Sequence, residues 1–345
     1  MAQKKKYKLK LWPKVLLVVL ILLGIGAYYG YQYYQEYLYK QSYEYKFLQV
    51  GYTLDEIKLI EEVLEKEDKD TLLTYEYNEF FPMFFKCKFF IFDNLDIYMT
   101  QVITQEDDFF KYHGTEGYDY DYIVAKANVG ALEPYYENSK KADIDKNYLM
   151  LVNKYFELGM DYKPDDLVKI DWKYRTGMAN DHIYIREEVY NAYLEMWNAA
   201  KNEANIYLLA HSGFRDAKSQ LDIYKDYEEK HGTSYADSIA ARAGYSEHQT
   251  GLALDIYAKE NQSQSTFKDS KAYKWLIENC YKYGFILRYP DGKHELTGYN
   301  YESWHYRYVG KELAKKVYDS GLTYDEYYTY YIAWFWQNTL ILLYY

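Results

Sequence analysis

The chain has 345 residues, 49% of them hydrophobic, which is ample for a sizeable core in one large domain or two modest ones and argues against disorder over most of its length. Its formal net charge is −11, and because six lysines fall within the first fourteen residues, the remainder carries −17. That balance excludes a phosphate-neutralising surface, and nucleic acid is therefore not an expected partner.

Lys4, Lys5, Lys6, Lys8, Lys10 and Lys14 precede an uncharged apolar run from Val15 to about Tyr34. About 20 apolar residues cross a bilayer as a helix, and lysines ahead of them stay on the cytoplasmic side. Trp12 on one flank and Tyr28, Tyr29, Tyr31, Tyr33 and Tyr34 on the other stand where aromatic belts form. The pattern predicts a cytoplasmic basic segment over 1–14, a single transmembrane signal-anchor over 15–34, and a bulk held outside the cell. Gly24, Ile25, Gly26 and Ala27 keep a cleaved secretory signal open as the alternative, and both readings export the domain.

From Tyr43 to about Asp68, the residues Leu54, Ile57, Leu59, Ile60, Val63 and Leu64 recur at three- and four-residue spacing, which predicts helix. With the aromatic segments 72–103 and 120–132, this makes 35–145 an extracytoplasmic helical spacer. The polar stretch from Glu133 to Lys146 marks the boundary to a domain over 146–328. Within it, Tyr148–Asn153 reads as a strand, Arg186–Glu203 as a helix and Ile206–Ala210 as a strand leading into SGFR. A helix over Asp216–Lys230 comes next, then a short one capped by Ser234 and ending near Gly244. Gly251–Ile256, Phe285–Tyr289 and Ser303–Tyr308 read as strands; Ser270–Tyr283, closed by Gly284, and Lys311–Ser320, ended by Gly321, read as helices. Helices and strands interleaved with short turns predict an α+β domain with a small sheet at its centre. The apolar tail, 329–345, contains Trp334, Phe335 and Trp336, is short for a membrane span, and suggests no function. Cys87 and Cys280 form no CxxC pair, and Cys280 reads as a buried free thiol. The 49 tyrosines are spread along the whole chain and so mark no single site.

Two stretches carry chemistry. SEHQTGLALD supplies His248 and Asp255, and YESWHYRY supplies Glu302 and His305. Two imidazoles and a carboxylate suit zinc, and three protein ligands leave the fourth tetrahedral position for water, as in a catalytic site. His248 and Asp255 are seven apart, so on an unbroken strand they would point to opposite faces. Both reach one ion only if the chain bends, and Gly251 is the residue that permits a bend. Glu302, three residues before His305, stands where a general base is wanted, which makes amide hydrolysis the natural reaction. Singly, each residue reads as an ordinary structural histidine, turn acid or surface carboxylate; the coincidence of all four carries the reading.

SGFR with Gln220 five residues after Arg215, then SEHQTGLALDI, YGFILRYP and ESWHYRYVG, resemble in that order the VanY-type D-alanyl-D-alanine carboxypeptidase family of zinc peptidases. The resemblance covers roughly Leu149 to Tyr328. It implies a D,D-peptidase/Hedgehog-like zinc fold, a small central antiparallel sheet flanked by helices. It also implies Zn2+ on His248, Asp255 and His305, Glu302 as catalytic base, and Arg215 at the substrate or transition state, with Gln220 and Ser246 near the peptide end. An arginine offers a bidentate fork to a terminal carboxylate, and the competing reading for Arg215 is a structural ion pair. Tyr289 and Tyr299 are candidates for the pocket wall or for core packing. The implied activity is removal of the terminal D-alanine from peptidoglycan stem peptides. L,D-carboxypeptidases and stem-peptide endopeptidases of the same fold are alternatives, and a non-catalytic wall-binding protein is the reading from another class. The family commonly has a proline before the glycine preceding the Ser-x-His motif, whereas Ala243 stands here before Gly244. His113, His182, His211, His231 and His294 match no ligand position.

Overall fold

The computed structural model describes residues 11–104, 119–177 and 182–333. The basic segment through Lys10, His113, and the tail with Trp334, Phe335 and Trp336 lie outside the described residues. The chain divides into two compact units, Met1–Asp121 and Tyr122–Tyr345. The division thus precedes the polar stretch 133–146. Its cause is the helix Tyr120–Asn128, whose Ala125, with Val129 just beyond it, packs on Leu296, while Tyr122 and Lys126 bond the Glu295 carboxylate.

In the first unit, the helix Leu11–Gln41 continues past the expected end at Tyr34. Its stretch Trp12–Gln41 is long and apolar enough to cross a membrane, a test that a signal sequence passes as well. The periodic region resolves into three helices, Tyr43–Val50, Leu54–Val63 and Lys66–Leu72. Gly51 ends the first in a left-handed conformation, and Thr53 opens the second through a capping box with Glu56. Phe81–Phe85 and Leu95–Thr104 are also helical.

Among the described residues, the second unit holds eight short strands. β1 (Lys140–Lys141) pairs parallel with β2 (Phe156–Glu157), and β3 (Leu167–Lys169) pairs antiparallel with β4 (Tyr184–Arg186). The central sheet comprises β5 (Leu208–Ser212), β6 (Ala253–Ala258), β7 (Phe285–Leu287) and β8 (His305–Tyr308), in the order β5-β6-β8-β7 with every pair antiparallel. All six residues of β6 are buried, so the strand that carries Asp255 forms the centre of the fold. The helix Glu187–Ala204 presents Val189, Tyr193, Met196, Trp197 and Ala200 to this core, three and four residues apart. Trp197 Nε1 donates to Leu208 O at 2.9 Å, joining the helix to β5. The result is the expected α+β architecture with a small antiparallel sheet flanked by helices.

Three local expectations are corrected. Tyr148–Asn153 is not a strand. Ile144–Leu149 is a 3-10 turn, and the carbonyls of Tyr148, Leu149 and Met150 are taken by Arg307 Nη2 and Tyr324 Oη, so side chains replace a ladder. The short helix runs Thr233–Ile239 behind Gly232, with Ser234 inside it rather than capping it, and Ala240 leaves it in an extended conformation. The α-helix opened by Ser270 stops at Asn279, and Cys280–Tyr283 tighten to a 3-10 turn before Gly284. Cys280 is a buried free thiol.

Candidate metal centre and catalytic cleft

The bend between His248 and Asp255 is built from local chemistry. Ser246 caps a 3-10 turn, Glu247–Thr250, its Oγ accepting from His248 N at 3.3 Å. Gly251 then turns the chain into β6 with φ +66°, where a Cβ would meet Arg186 Cγ at 2.9 Å and Leu167 Cδ2 at 3.0 Å. Only glycine adopts that angle without strain in so confined a space. His248 therefore lies off the strand while Asp255 lies in it. On the next strand, Asp255 sits in register with His305, and a turn closed by His305 N donating to Glu302 O at 3.2 Å puts Glu302 on the same side.

His248, Asp255 and His305, all buried, offer ligand atoms within 4.8 Å of one another. Asp255 Oδ1 lies 3.5 Å from His248 Nε2 and 3.3 Å from His305 Nδ1. The outer nitrogens have partners of their own: His248 Nδ1 faces Gly213 O at 2.7 Å and His305 Nε2 faces Glu247 Oε2 at 3.4 Å. Protons on those outer nitrogens leave two imidazole lone pairs converging with a carboxylate oxygen. Asp255 Oδ1 is buried and, among the described residues, makes no hydrogen bond. An orphaned carboxylate oxygen is costly, and a cation among these three atoms would satisfy it. The donor set fits zinc.

Burial and the neighbouring charges shift each of these groups in the absence of an ion. Burial works to raise Asp255, yet His248 and His305 hold its carboxyl far below the usual range. Burial lowers His248. Burial also acts to lower His305, but the carboxylates of Asp255 and Glu247 outweigh it and hold the imidazole up to about 9. Burial pushes Glu302 up to about 7, against the pull of His305.

Glu302 Oε2 is 3.5 Å from His305 Nδ1. With Arg215, Ser246, Tyr289, Tyr299 and Trp304, it helps line a cleft of about 800 Å³ that opens onto the three candidate ligand residues. Arg215 donates from Nη1 to Gln220 Oε1 at 2.8 Å and from Nη2 to Ser212 Oγ at 3.0 Å. Among the described residues it forms no direct ion pair, although the Asp255 and Glu302 carboxylates lie near enough to favour its charge. Gln220 is 2% exposed and its amide is used at both ends, since Nε2 donates to Ala241 O at 2.7 Å; it steadies Arg215. Tyr289 packs on the His305 ring at 4.8 Å, and Tyr299 packs on Tyr289. A second recess, of about 600 Å³, shares Arg215, Asp255 and Trp304 and reaches His182 and His211. His211 sits at the bulge of β5, its Nδ1 3.0 Å from Thr176 Oγ1.

Sequence reasoning missed a buried charge network beneath His305. Glu247 Oε1 accepts from Arg288 Nε at 2.8 Å and from Arg307 Nη1 at 2.7 Å. Arg288 also pairs with Asp325 through Nη1 at 2.5 Å and Nη2 at 3.1 Å, and Asn153 Nδ2 donates to Asp325 Oδ1 at 2.8 Å. The available signal was charge among apolar and aromatic residues at Arg288 in GFILRYP and Arg307 in HYRY; Glu247, among the polar residues of SEHQT, gave none.

A family model described as VanY, D-alanyl-D-alanine carboxypeptidase, matches residues 182–311. The putative carboxypeptidase YodJ of Bacillus subtilis (strain 168) is 40% identical over 202 residues, which are 56% of this chain and 74% of that protein. The chain belongs to the VanY-type D-alanyl-D-alanine carboxypeptidase family and is a peptidase. The bifunctional D-Ala-D-Ala dipeptidase and D-Ala-D-Ala carboxypeptidase VanXYC of Enterococcus gallinarum is 33% identical over 189 residues, 53% of this chain and 95% of that protein. Among solved structures, the LdcB LD-carboxypeptidase aligns with a TM-score of 0.53 at 39% identity, covering 56% of this chain and 91% of that one. The span matched by the VanY model holds Arg215, His248, Asp255, Glu302 and His305 and stops short of Asp325.

Proposed function

We propose that the protein is a zinc-dependent carboxypeptidase that removes the terminal D-alanine from peptidoglycan stem peptides. The observation that carries this reading is the convergence of His248 Nε2, His305 Nδ1 and the orphaned Asp255 Oδ1 in one cleft with Glu302 and Arg215. Those three atoms would hold the ion. Zinc with three protein ligands supplies an activated water and a polarised scissile carbonyl. Glu302, on the cleft wall beside His305, takes the proton of the attacking water on its carboxylate and passes it to the leaving amine. Arg215 receives the terminal carboxylate with the N–H groups not engaged by Gln220 and Ser212. Ser246 keeps its own hydroxyl proton for the peptide.

The likeness to VanXYC, a D-Ala-D-Ala dipeptidase and carboxypeptidase, supports D-alanine as the released residue. The likeness to LdcB favours a second reading, cleavage of the L,D bond of a tetrapeptide. The apolar helix Leu11–Gln41 supports a single-pass anchor that keeps the catalytic unit outside the cell, beside its wall substrate; a cleaved signal would export it equally.

The test is release of D-alanine by zinc-loaded full-length protein in detergent, offered a stem pentapeptide and a tetrapeptide. Release from the pentapeptide is expected, and Glu302→Ala should retain metal while losing turnover. Zinc-loaded wild-type protein that leaves both peptides intact would overturn the proposal.

A further inference from the structure

Glu247 is 2% exposed, and Arg288 and Arg307, which bond it, are both 0% exposed. Burying three charges is expensive, and well-packed apolar residues of similar volume commonly serve stability as well or better. Stability alone therefore gives no reason for a carboxylate at this position, whereas its geometry does. Both arginines bind one oxygen, Oε1, at 2.8 and 2.7 Å, which leaves the other, Oε2, turned to His305 Nε2 at 3.4 Å. Arg288 is in turn anchored by Asp325, so the four charged groups sum to zero and the carboxylate is fixed from behind.

The two candidate ligand histidines are thus held differently. His248 is steadied by a neutral backbone carbonyl, Gly213 O. His305 is steadied by a carboxylate that cannot move away. An acceptor at Nε2 keeps the proton on that nitrogen and the lone pair on Nδ1, the atom that faces Asp255.

We infer that Glu247 is a positioning residue for His305, which it fixes in the tautomer and orientation that ligate the metal, with Arg288, Arg307 and Asp325 as the clamp that holds it. The inference rests on the zinc site proposed above. It also makes the short helix Tyr324–Tyr327, beyond the span matched by the VanY model, part of the support of the metal centre.

The experiment compares full-length wild type, Glu247→Gln and Glu247→Asp in detergent. Zinc affinity is measured by competition with a chromogenic chelator, and thermal melting is followed in parallel. Glu247→Asp keeps a negative charge for the arginines but draws it back from the imidazole by about one C–C bond, roughly 1.5 Å. Both variants are expected to bind zinc about 10- to 100-fold more weakly, the usual effect of losing an outer-shell partner. A merely structural carboxylate would lower the melting temperature of Glu247→Gln, be rescued by Glu247→Asp, and leave zinc affinity unchanged in folded protein; that result overturns the inference alone. Wild type that takes up no zinc overturns the metal reading and this inference with it. Where a variant does not fold, nuclear magnetic resonance of zinc-loaded wild type decides: a slowly exchanging proton on His305 Nε2 is expected, and one on Nδ1 would overturn the inference.

Discussion

Replacing Arg215 by alanine removes the group assigned to the terminal carboxylate. A guanidinium has five N–H donors; one bonds Gln220 Oε1 and one bonds Ser212 Oγ. About three remain for the substrate, enough for a two-point contact with a carboxylate. Hydrogen bonds to charged groups contribute about 1.5–3 kcal/mol each, so loss of a two-point contact should cost about 3–6 kcal/mol, a fall of roughly 10²–10⁴-fold in kcat/KM. Arg215→Lys keeps the charge without the fork and should recover only part of this. The assay compares a pentapeptide free acid with its C-terminal amide. Wild type should strongly prefer the free acid, and Arg215→Ala should narrow that preference to nearly nothing while zinc content stays unchanged. Equal cleavage of acid and amide by wild type, or an Arg215→Ala variant that retains the full preference, would refute the reasoning.

Three further outcomes are expected. Gln220→Ala frees one side of Arg215 and should lower kcat/KM about tenfold, the worth of about one hydrogen bond, with zinc affinity unaltered in the chelator competition. Gly251→Ala forces a side chain into a positive φ against Arg186 and Leu167; it should cost about 1–3 kcal/mol by thermal melting and weaken zinc uptake, with Gly251→Asn milder because asparagine tolerates that conformation. Lys154 is buried between Tyr135 and Tyr299, and burial lowers its pKa from 10.5 to about 8. The unfolded chain therefore binds more protons between those values, and stability from this group rises with pH across that window, the charged form destabilising the fold below it by about 3 kcal/mol. Lys154→Met should remove the slope in denaturant titrations from pH 7 to 11; a slope unchanged by the substitution would contradict it.

What was legible in the sequence was local. The 3.6-residue pattern of Val189, Tyr193 and Trp197 reports a helix with one buried face, and Gly251 between two ligand-type residues reports a bend because only the backbone there can take it. What was not legible depended on distant partners. Tyr148–Asn153 has strand-like composition, but Arg307 and Tyr324 satisfy its carbonyls from more than 150 residues away. Nothing around Glu247 in the sequence points to Arg288 and Arg307, which fold over it, and Asp325 joins them from beyond the last recognisable motif. Ser234 is a good capping residue by type, yet Gly232 turns the chain first. Gln220, expected near the peptide end, does line the cleft, and its bonds to Arg215 and to Ala241 O depend on partners that the sequence does not bring together.

The central claim is tested most directly by stripping full-length protein with a chelator and titrating zinc back while following D-alanine release from the stem pentapeptide. The account predicts no release from the stripped protein, a rise with added zinc that levels off near one ion per chain, and no recovery in His305→Ala. Release that survives stripping, or stoichiometric zinc uptake on His248, Asp255 and His305 without any release of D-alanine from penta- or tetrapeptide, would contradict it.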